Sequence, residues 1–274
     1  MKQGLTRRLA IAVGTIGLGL MAGPTSADHA WGNYHWARTA NPFTLLTGDN
    51  VSSAWDGYLD TAIAEWSTST VLNLQEVTGQ ARSKNCRPTA GRIEVCNGTY
   101  GPNGWLGIAN IWLSGSHITQ ATTRLNDTYF NTATYNTPAW RRLVMCQEIA
   151  HDFGLDHQDE AFGPPNIGSC MDYTNDPDGG GAYGLSNVSP DAHDFEMIEE
   201  IYAHTDTTST VGTLASVNGA PAAINQGDFD RPGQWGRLVR SSRNGRVQLY
   251  ELDFGKGNKI ITHVFWADPV ADAH

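Results

Sequence analysis

Positive charge is scarce in this chain of 274 residues. Lysine and arginine together number 18 against 28 aspartate and glutamate residues, which gives a formal net charge of −10. A chain this acidic lacks the cationic surface that neutralises a phosphate backbone, so no nucleic-acid partner is expected. Internal repeats and runs of five or more charged residues are also missing from the sequence. Neither a repeat array nor a charged tail is therefore expected.

Long apolar runs are missing from the sequence beyond its first 27 residues. A basic start at residues 2–8 precedes an apolar run at 9–23, and small residues follow at 25–27. The run has about 15 residues, short of the roughly 20 that span a bilayer. This order of regions is typical of a secretory signal peptide. We predict that residues 1–27 are removed, that the protein is secreted without a membrane span, and that the mature net charge is −13.

The four cysteines are even in number and lie in a chain that we expect to reach an oxidising compartment. Three pairings are possible. Cys86 and Cys96 would close a short loop that contains a proline and a glycine, which favours this pair, and Cys146 with Cys170 then follows. The CxxC spacing of four-cysteine zinc sites is absent from the sequence. We therefore predict disulfides rather than a cysteine metal site.

Apolar periodicity and capping residues predict an α+β protein. Strands are expected at residues 33–47, 71–77, 105–113, 117–125, 246–254 and 259–266, and helices at 51–66, capped by Asn50, at 137–153, capped by Thr137, and from Ser189 onward. Residues 206–234 are small and polar. We predict one mixed-sheet domain over residues 28–205 and a short β-rich C-terminal appendage, of unknown role, over 206–274.

Residues 147–157 (QEIAHDFGLDH) contain the candidate metal-binding and catalytic residues. Ten of these eleven positions comply with the zinc protease pattern H-E-x-x-H-x-x-G-x-x-H, and the departure is Gln147 at the first histidine. Positions i and i+4 share a helix face, and Gly154 lets the chain turn so that His157 can return to the same ion. Glu148 lies where its carboxylate can hold and deprotonate a water that the metal activates.

Residues 169–173 (SCMDY) strengthen this pattern. Met171 follows His157 by 14 residues, and Tyr173 comes two residues after the methionine. Together the two segments resemble the metzincin clan of secreted zinc metalloendopeptidases, which includes the matrixins and astacins. The resemblance covers roughly residues 33–205.

The resemblance implies a fold and a set of roles. The fold is a mixed sheet with an active-site helix, a Met-turn and a C-terminal helix. The implied roles are metal ligand for His151 and His157, general base for Glu148, floor of the site for Met171 and oxyanion stabilisation for Tyr173. The implied cofactor is Zn²⁺. The implied partner is an extended peptide or protein substrate, bound by β-addition to an edge strand near residues 107–113, and the expected state is a monomer.

Because Gln147 replaces the first histidine of the pattern, the third metal ligand is not assigned. Its amide oxygen could complete the set, but a neutral amide is a weaker zinc ligand than imidazole, so weak zinc binding is expected. An outside histidine is the other route, and the candidates are His29, His35, His117, His193, His204 and His263. The predicted function is a secreted zinc-dependent metalloendopeptidase that hydrolyses peptide bonds with metal-activated water. The alternatives are a catalytically impaired pseudo-protease that binds peptides or proteins without cleaving them, and a structural surface protein.

Overall fold

The computed structural model of the protein describes Met1 and residues 29–80, 85–213 and 228–268. The predicted signal peptide, apart from Met1, lies outside the described residues. No helix within these ranges is long and apolar enough to cross a membrane.

Helices and strands alternate irregularly along the chain. The helices are α1 (Asp56–Trp66), α2 (Asp127–Phe130), α3 (Pro138–His151) and α4 (Ala192–Ile201), with a short 3₁₀ turn at Pro232–Gln234. The strands are β1 (His35–Trp36), β2 (Phe43–Asn50), β3 (Leu72–Thr78), β4 (Arg92–Gly98), β5 (Trp105–Ser114), β6 (His117–Asn126), β7 (Arg237–Ser241), β8 (Val247–Gly255) and β9 (Asn258–Trp266).

A nine-stranded mixed sheet joins these strands in the order β3-β2-β4-β6-β5-β9-β8-β7, with β1 paired to β6 off this path. The pairs among β1, β2, β3, β4 and β6 are parallel, whereas those that involve β5, β7, β8 and β9 are antiparallel. Parallel neighbours need a crossover, and α1 provides it between β2 and β3. The predicted α+β class with a mixed sheet is confirmed.

Helix α3 begins and ends as the sequence predicts. The Thr137 side chain accepts a hydrogen bond from the Trp140 backbone N–H, and Pro138 occupies the first turn, where its missing N–H costs nothing. Beyond the helix, Gly154 has φ +106°, and a Cβ there would lie 2.5 Å from the carbonyl oxygen of Tyr34. Glycine is therefore required for the chain to leave the helix and turn back.

The predicted starts of the other two long helices are wrong. Asn50 does not cap α1, because it ends β2 and its side chain donates to Glu94 at 2.7 Å. Helix α4 is capped by Asp191 rather than Ser189. The Asp191 carboxylate accepts from the backbone N–H of Asp194, whose own carboxylate accepts from the N–H of Asp191. This reciprocal pair fixes the first turn.

The predicted edge strand near residues 107–113 is also wrong. Strand β5 lies between β6 and β9, and β9 pairs with it from one end to the other. β9 is apolar on both faces: Ile261 and Phe265 join the main core, while Ile260 and Val264 join a second apolar cluster. A strand with two apolar faces is stable only inside a sheet. The predicted division of the chain at residue 205 stays a prediction, and strands β7 to β9 continue the same sheet.

Both predicted disulfides are present. Cys86 pairs with Cys96, and Cys146 pairs with Cys170, so all four cysteines are bonded. The second bond joins α3 to the turn at residues 169–173. It therefore fixes the helix that carries the motif against the segment that follows it.

Candidate metal centre

Three buried histidines converge from distant parts of the chain. His151 is the last residue of α3, His157 follows the turn at Gly154, and His263 is in β9. One ring nitrogen of each lies within 4.8 Å of the others. Relative exposures are 0% for His151, 7% for His157 and 0% for His263. We call these three residues the buried histidine cluster.

Strand alternation places His263 in this cluster. It pairs with Ala109 of β5, and alternation puts it on the same face as Ile261 and Phe265, which belong to the main core around α3. The sequence offered His263 only as one of six possible outside ligands. The alternation within residues 259–266 predicted the strand, but the partner strand lies about 150 residues away and has no local sequence signal.

The ring of His151 is oriented by a contact with the turn that follows α3. Its Nδ1 lies 2.8 Å from the carbonyl oxygen of Leu155, so Nδ1–H donates there and Nε2 carries the lone pair. Nε2 is buried and has no hydrogen-bond partner. Trp31 stacks on the ring, with centroids 4.9 Å apart. A fixed ring with a free buried lone pair is the arrangement that a metal ligand requires.

Tyr173 contacts the other two histidines. Its hydroxyl oxygen lies 2.7 Å from Nε2 of His157 and 3.1 Å from Nε2 of His263. Burial raises the pKa of Tyr173 well above its ordinary value, and the nearby carboxyl of Glu148 acts in the same direction. The residue therefore presents a neutral hydroxyl, which can donate a hydrogen bond.

Glu148 lies beside the cluster without a hydrogen-bond partner. Both carboxyl oxygens are buried and unpaired, and Oε2 is 3.7 Å from Nδ1 of His263. Burial raises the pKa of this carboxyl well above its usual range, and Asp152 adds to the effect. A Cβ at Gly107 would lie 2.6 Å from Oε1 and 2.7 Å from a methyl carbon of Val144. Glycine at this position allows α3 to approach β5 closely enough to place Glu148.

Only one end of the Gln147 side chain has a hydrogen-bond partner. Its amide nitrogen donates to the carbonyl oxygen of Cys170 at 2.8 Å, and its Oε1 is buried without a partner. Metal ligation by Gln147 stays a prediction. Met171 is fully buried, and its backbone N–H donates to the hydroxyl of Ser169 at 2.8 Å. The disulfide Cys146–Cys170 and the hydrogen bond from Gln147 hold the turn against α3, and the role of Met171 as the floor of the site stays a prediction.

Charged side chains of the C-terminal strands hold the segment around His157. Arg240 of β7 forms a two-pronged ion pair with Asp156, and it lies 3.6 Å from Glu160. The guanidinium of Arg246 lies 3.9 Å from the ring centroid of Phe162. These contacts join residues 156–162 to the C-terminal segment that contains Arg240 and Arg246. No short sequence motif predicts them.

The donor set fits a borderline divalent metal such as zinc. Burial lowers the pKa of all three histidines in the cluster, which keeps the imidazoles neutral, as metal binding requires. Three protein ligands with an adjacent carboxyl are typical of catalytic zinc sites. The residues present would hold the ion through His151, His157 and His263, with Glu148 and Tyr173 beside it.

The cluster is closed to solvent. Glu148 and Tyr173 have no exposed surface, and neither do two of the three histidines. Strand β9 covers β5 on the side where an extended peptide would pair. The three histidines, Glu148 and Tyr173 therefore form a set of polar groups that is shielded from solvent.

No protein-family profile matches the chain, and no curated protein sequence matches it. The solved structures similar to it include high choriolytic enzyme 1, a hatching enzyme zinc-protease from the medaka fish Oryzias latipes. That comparison has 12% identity and a TM-score of 0.35, and covers 62% of this chain and 94% of the other. Myroilysin is similar at 12% identity and a TM-score of 0.34, over 62% of this chain and 97% of the other.

Proposed function

We propose that the protein is a zinc-dependent endopeptidase whose metal is held by His151, His157 and His263. One observation carries this proposal: a ring nitrogen from each histidine lies within 4.8 Å of the others, beside a buried carboxyl that has no partner. His263 supplies the third imidazole that the sequence motif lacks at Gln147. The sequence pattern and the geometry therefore support the same chemistry through different residues.

A bound zinc ion supplies Lewis acidity, which polarises a peptide carbonyl and makes water more acidic. With the cation bound nearby, the Glu148 carboxyl would be ionised, would accept the proton of the attacking water and would deliver that proton to the leaving amine. Its unpaired oxygens are free for both steps. The Tyr173 hydroxyl donates a hydrogen bond to the oxygen that gains negative charge at the attacked carbonyl.

Secretion belongs to this proposal. The N-terminal sequence predicts export, and the two disulfides are consistent with an oxidising compartment. A peptide or protein substrate must reach a site that β9 now covers. Because β9 carries His263 and pairs with β5 along its length, we infer that the substrate reaches the metal without main-chain pairing to β5.

The second candidate is a binding protein that does not cleave. The observation in its favour is the complete burial of Glu148 and Tyr173 together with the pairing of β5 by β9. In that case the buried ion would only stabilise the fold, because the buried position of its three ligands and of Glu148 keeps a substrate from reaching it. The two candidates share the metal and differ in turnover.

The deciding experiment compares the secreted protein with Glu148→Gln. We expect the protein to cleave a casein-type substrate, a chelator to abolish this activity, and zinc to restore it. Glu148→Gln should retain its zinc and lose about 100- to 10,000-fold in kcat/KM, because only the proton carrier is removed. Glu196→Gln, an exposed substitution on α4, is the matched control and should keep full activity.

Two results would reject the peptidase. Cleavage that survives Glu148→Gln or full chelation would show that another site is responsible. Stoichiometric zinc with no cleavage at any zinc concentration would instead establish the second candidate.

A further inference from the structure

A second group of histidines lies outside the site described above. His35, His117 and His204 all direct Nε2 toward Oδ1 of Asp206, at 3.4, 3.3 and 3.8 Å respectively. The Nε2 atoms of His35 and His204 are 3.2 Å apart. We call these four residues the open histidine cluster, because two of its rings are accessible to solvent.

The fold brings these residues together through two separate features. The parallel pairing of β1 with β6 places His35 directly opposite His117. Helix α4 then ends beside β1, where the hydroxyl of Tyr202 accepts from the backbone N–H of Trp36 and donates to a carbonyl oxygen after α3. The residues that follow α4 therefore return to β1, and they bring His204 with them.

His35 and Asp206 of the open histidine cluster are each oriented by contacts with residues outside the cluster. The Nδ1 atom of His35 lies 2.7 Å from the carbonyl oxygen of Asn33, so Nδ1–H donates there and Nε2 carries the lone pair. Arg38 binds Oδ2 of Asp206 through its backbone N–H at 3.1 Å and its guanidinium at 3.0 Å. Only Oδ1 is then left to face the rings.

The charge state of Asp206 suits a cation. Burial opposes its ionisation, but the hydrogen bond from the backbone N–H of Arg38 acts against that effect, and the pKa of the carboxyl lies below its ordinary value. The group is therefore a carboxylate at neutral pH. An oriented imidazole and an oriented carboxylate are the kind of supported ligands that metal sites use.

The ligand atoms of His35, His204 and Asp206 lie within 4.8 Å of one another, and their spacing suits a tetrahedral ion. Bonds of about 2.0–2.2 Å to nitrogen and oxygen place neighbouring ligand atoms about 3.3–3.5 Å apart. Of the three distances among His35, His204 and Asp206, two lie within about 0.1 Å of that range, and the third, from Asp206 to His204, is slightly longer. His117 approaches this group through Asp206, at 3.3 Å. His204, whose side chain is half exposed, is the ligand that would move to close the site.

We propose that His35, His204 and Asp206 form a second metal site that binds zinc or a similar late first-row divalent ion, and that the partly exposed ring of His117 turns in as its fourth ligand. Four protein ligands leave no open position, so the site is structural rather than catalytic. It joins β1 to the segment after α4, which lies about 170 residues later. The exposed rings of His117 and His204 let the ion enter without unfolding of the chain.

The test counts zinc in the full chain and in His117→Ala/His204→Ala. Both altered side chains are partly exposed, so the fold is expected to persist, as circular dichroism would verify. The double variant should bind one equivalent less zinc than the unaltered protein, whatever the buried histidine cluster binds. Two equivalents should become one, or one should become none if the buried cluster binds no metal. His193→Ala, on α4 outside the open histidine cluster, is the matched control and should change nothing.

Cobalt substitution gives a second readout that does not depend on activity. Tetrahedral cobalt in the open histidine cluster should give visible absorption that the double variant loses, and zinc should raise the thermal midpoint less in that variant. His204→Ala alone should weaken this binding at least tenfold, which serves if the double variant misfolds. Equal zinc content and equal cobalt spectra in the variants and the unaltered protein would overturn the proposal.

Discussion

The two histidine clusters contain three histidines each, yet their surroundings differ in every other respect. The buried cluster lies in the core beside Glu148 and the hydroxyl of Tyr173, both without solvent contact. The open cluster lies near the surface, and its fourth group is the carboxylate of Asp206, which Arg38 already orients. Three ligands beside a free carboxyl suit chemistry, whereas four ligands suit structure. The neighbours of the rings, more than the rings themselves, separate the two proposed roles.

Each cluster also depends on a residue that follows its other ligands in the sequence. His263 completes the buried cluster from β9, and Asp206 completes the open cluster from the segment after α4. In each case the last ligand arrives through tertiary packing. Changes to that last ligand therefore test each site most directly.

The largest expected effect comes from His263→Ala. It removes one of three ligands from the buried cluster, so zinc affinity there and kcat/KM for peptide cleavage should each fall at least ~100-fold. The open cluster should keep its ion. Metal content and peptide cleavage check both statements, with His204→Ala as the reciprocal control that spares activity.

Gln147→His added to His263→Ala sharpens this result. It returns an imidazole to the helix face of His151, one turn away, so part of the lost zinc binding should return. Full zinc binding in His263→Ala alone would show that His263 is no ligand and that the buried cluster is misassigned.

Chelation should separate the clusters by rate. His204 is half exposed, whereas the three histidines of the buried cluster are at most 7% exposed. A coloured chelator should therefore remove zinc in two phases that differ at least ~10-fold, because the buried ion is released only after local opening. The fast phase should vanish in His117→Ala/His204→Ala. A fast phase that persists in that variant would assign it to another site.

Gly107→Ala should have a smaller effect, confined to the surroundings of the buried cluster. The added methyl would lie 2.6 Å from Oε1 of Glu148, so α3 must shift from β5. We expect a loss of roughly 1–3 kcal/mol in the free energy of unfolding, measured by denaturant titration. Gly57→Ala, at a helix position with open space around it, should instead be neutral or slightly stabilising. Equal effects of the two changes would contradict the proposed close contact.

Local rules in the sequence predicted the parts of the fold that form locally. The Thr137 cap, the Pro138 start and the Gly154 turn each follow from contacts within a few residues, and α3 is placed correctly. Asn50 misled the prediction because a capping residue can also end a strand and bind a partner such as Glu94. Strands β4 and β7 were not predicted, since the first lies within the disulfide loop and the second is short and largely exposed.

The candidate site was predictable in part for the same reason. Glu148, His151 and His157 lie within ten residues of one another, so the helix and the turn at Gly154 bring them together. Tyr173 was found through the turn that follows. The third histidine depends on the pairing of β9 with β5, which also removed the expected free edge. That pairing depends on complementary apolar faces about 150 residues apart, which no short motif encodes.

The pairing of β9 with β5 also determines the order of events during biosynthesis. A chain still being made has its helix motif long before it has His263, so the buried cluster stays incomplete until β9 has emerged. Under the proposed function, a nascent or C-terminally shortened molecule could not cleave its neighbours. Under the same proposal, activity waits until β9 has been made and has paired with β5.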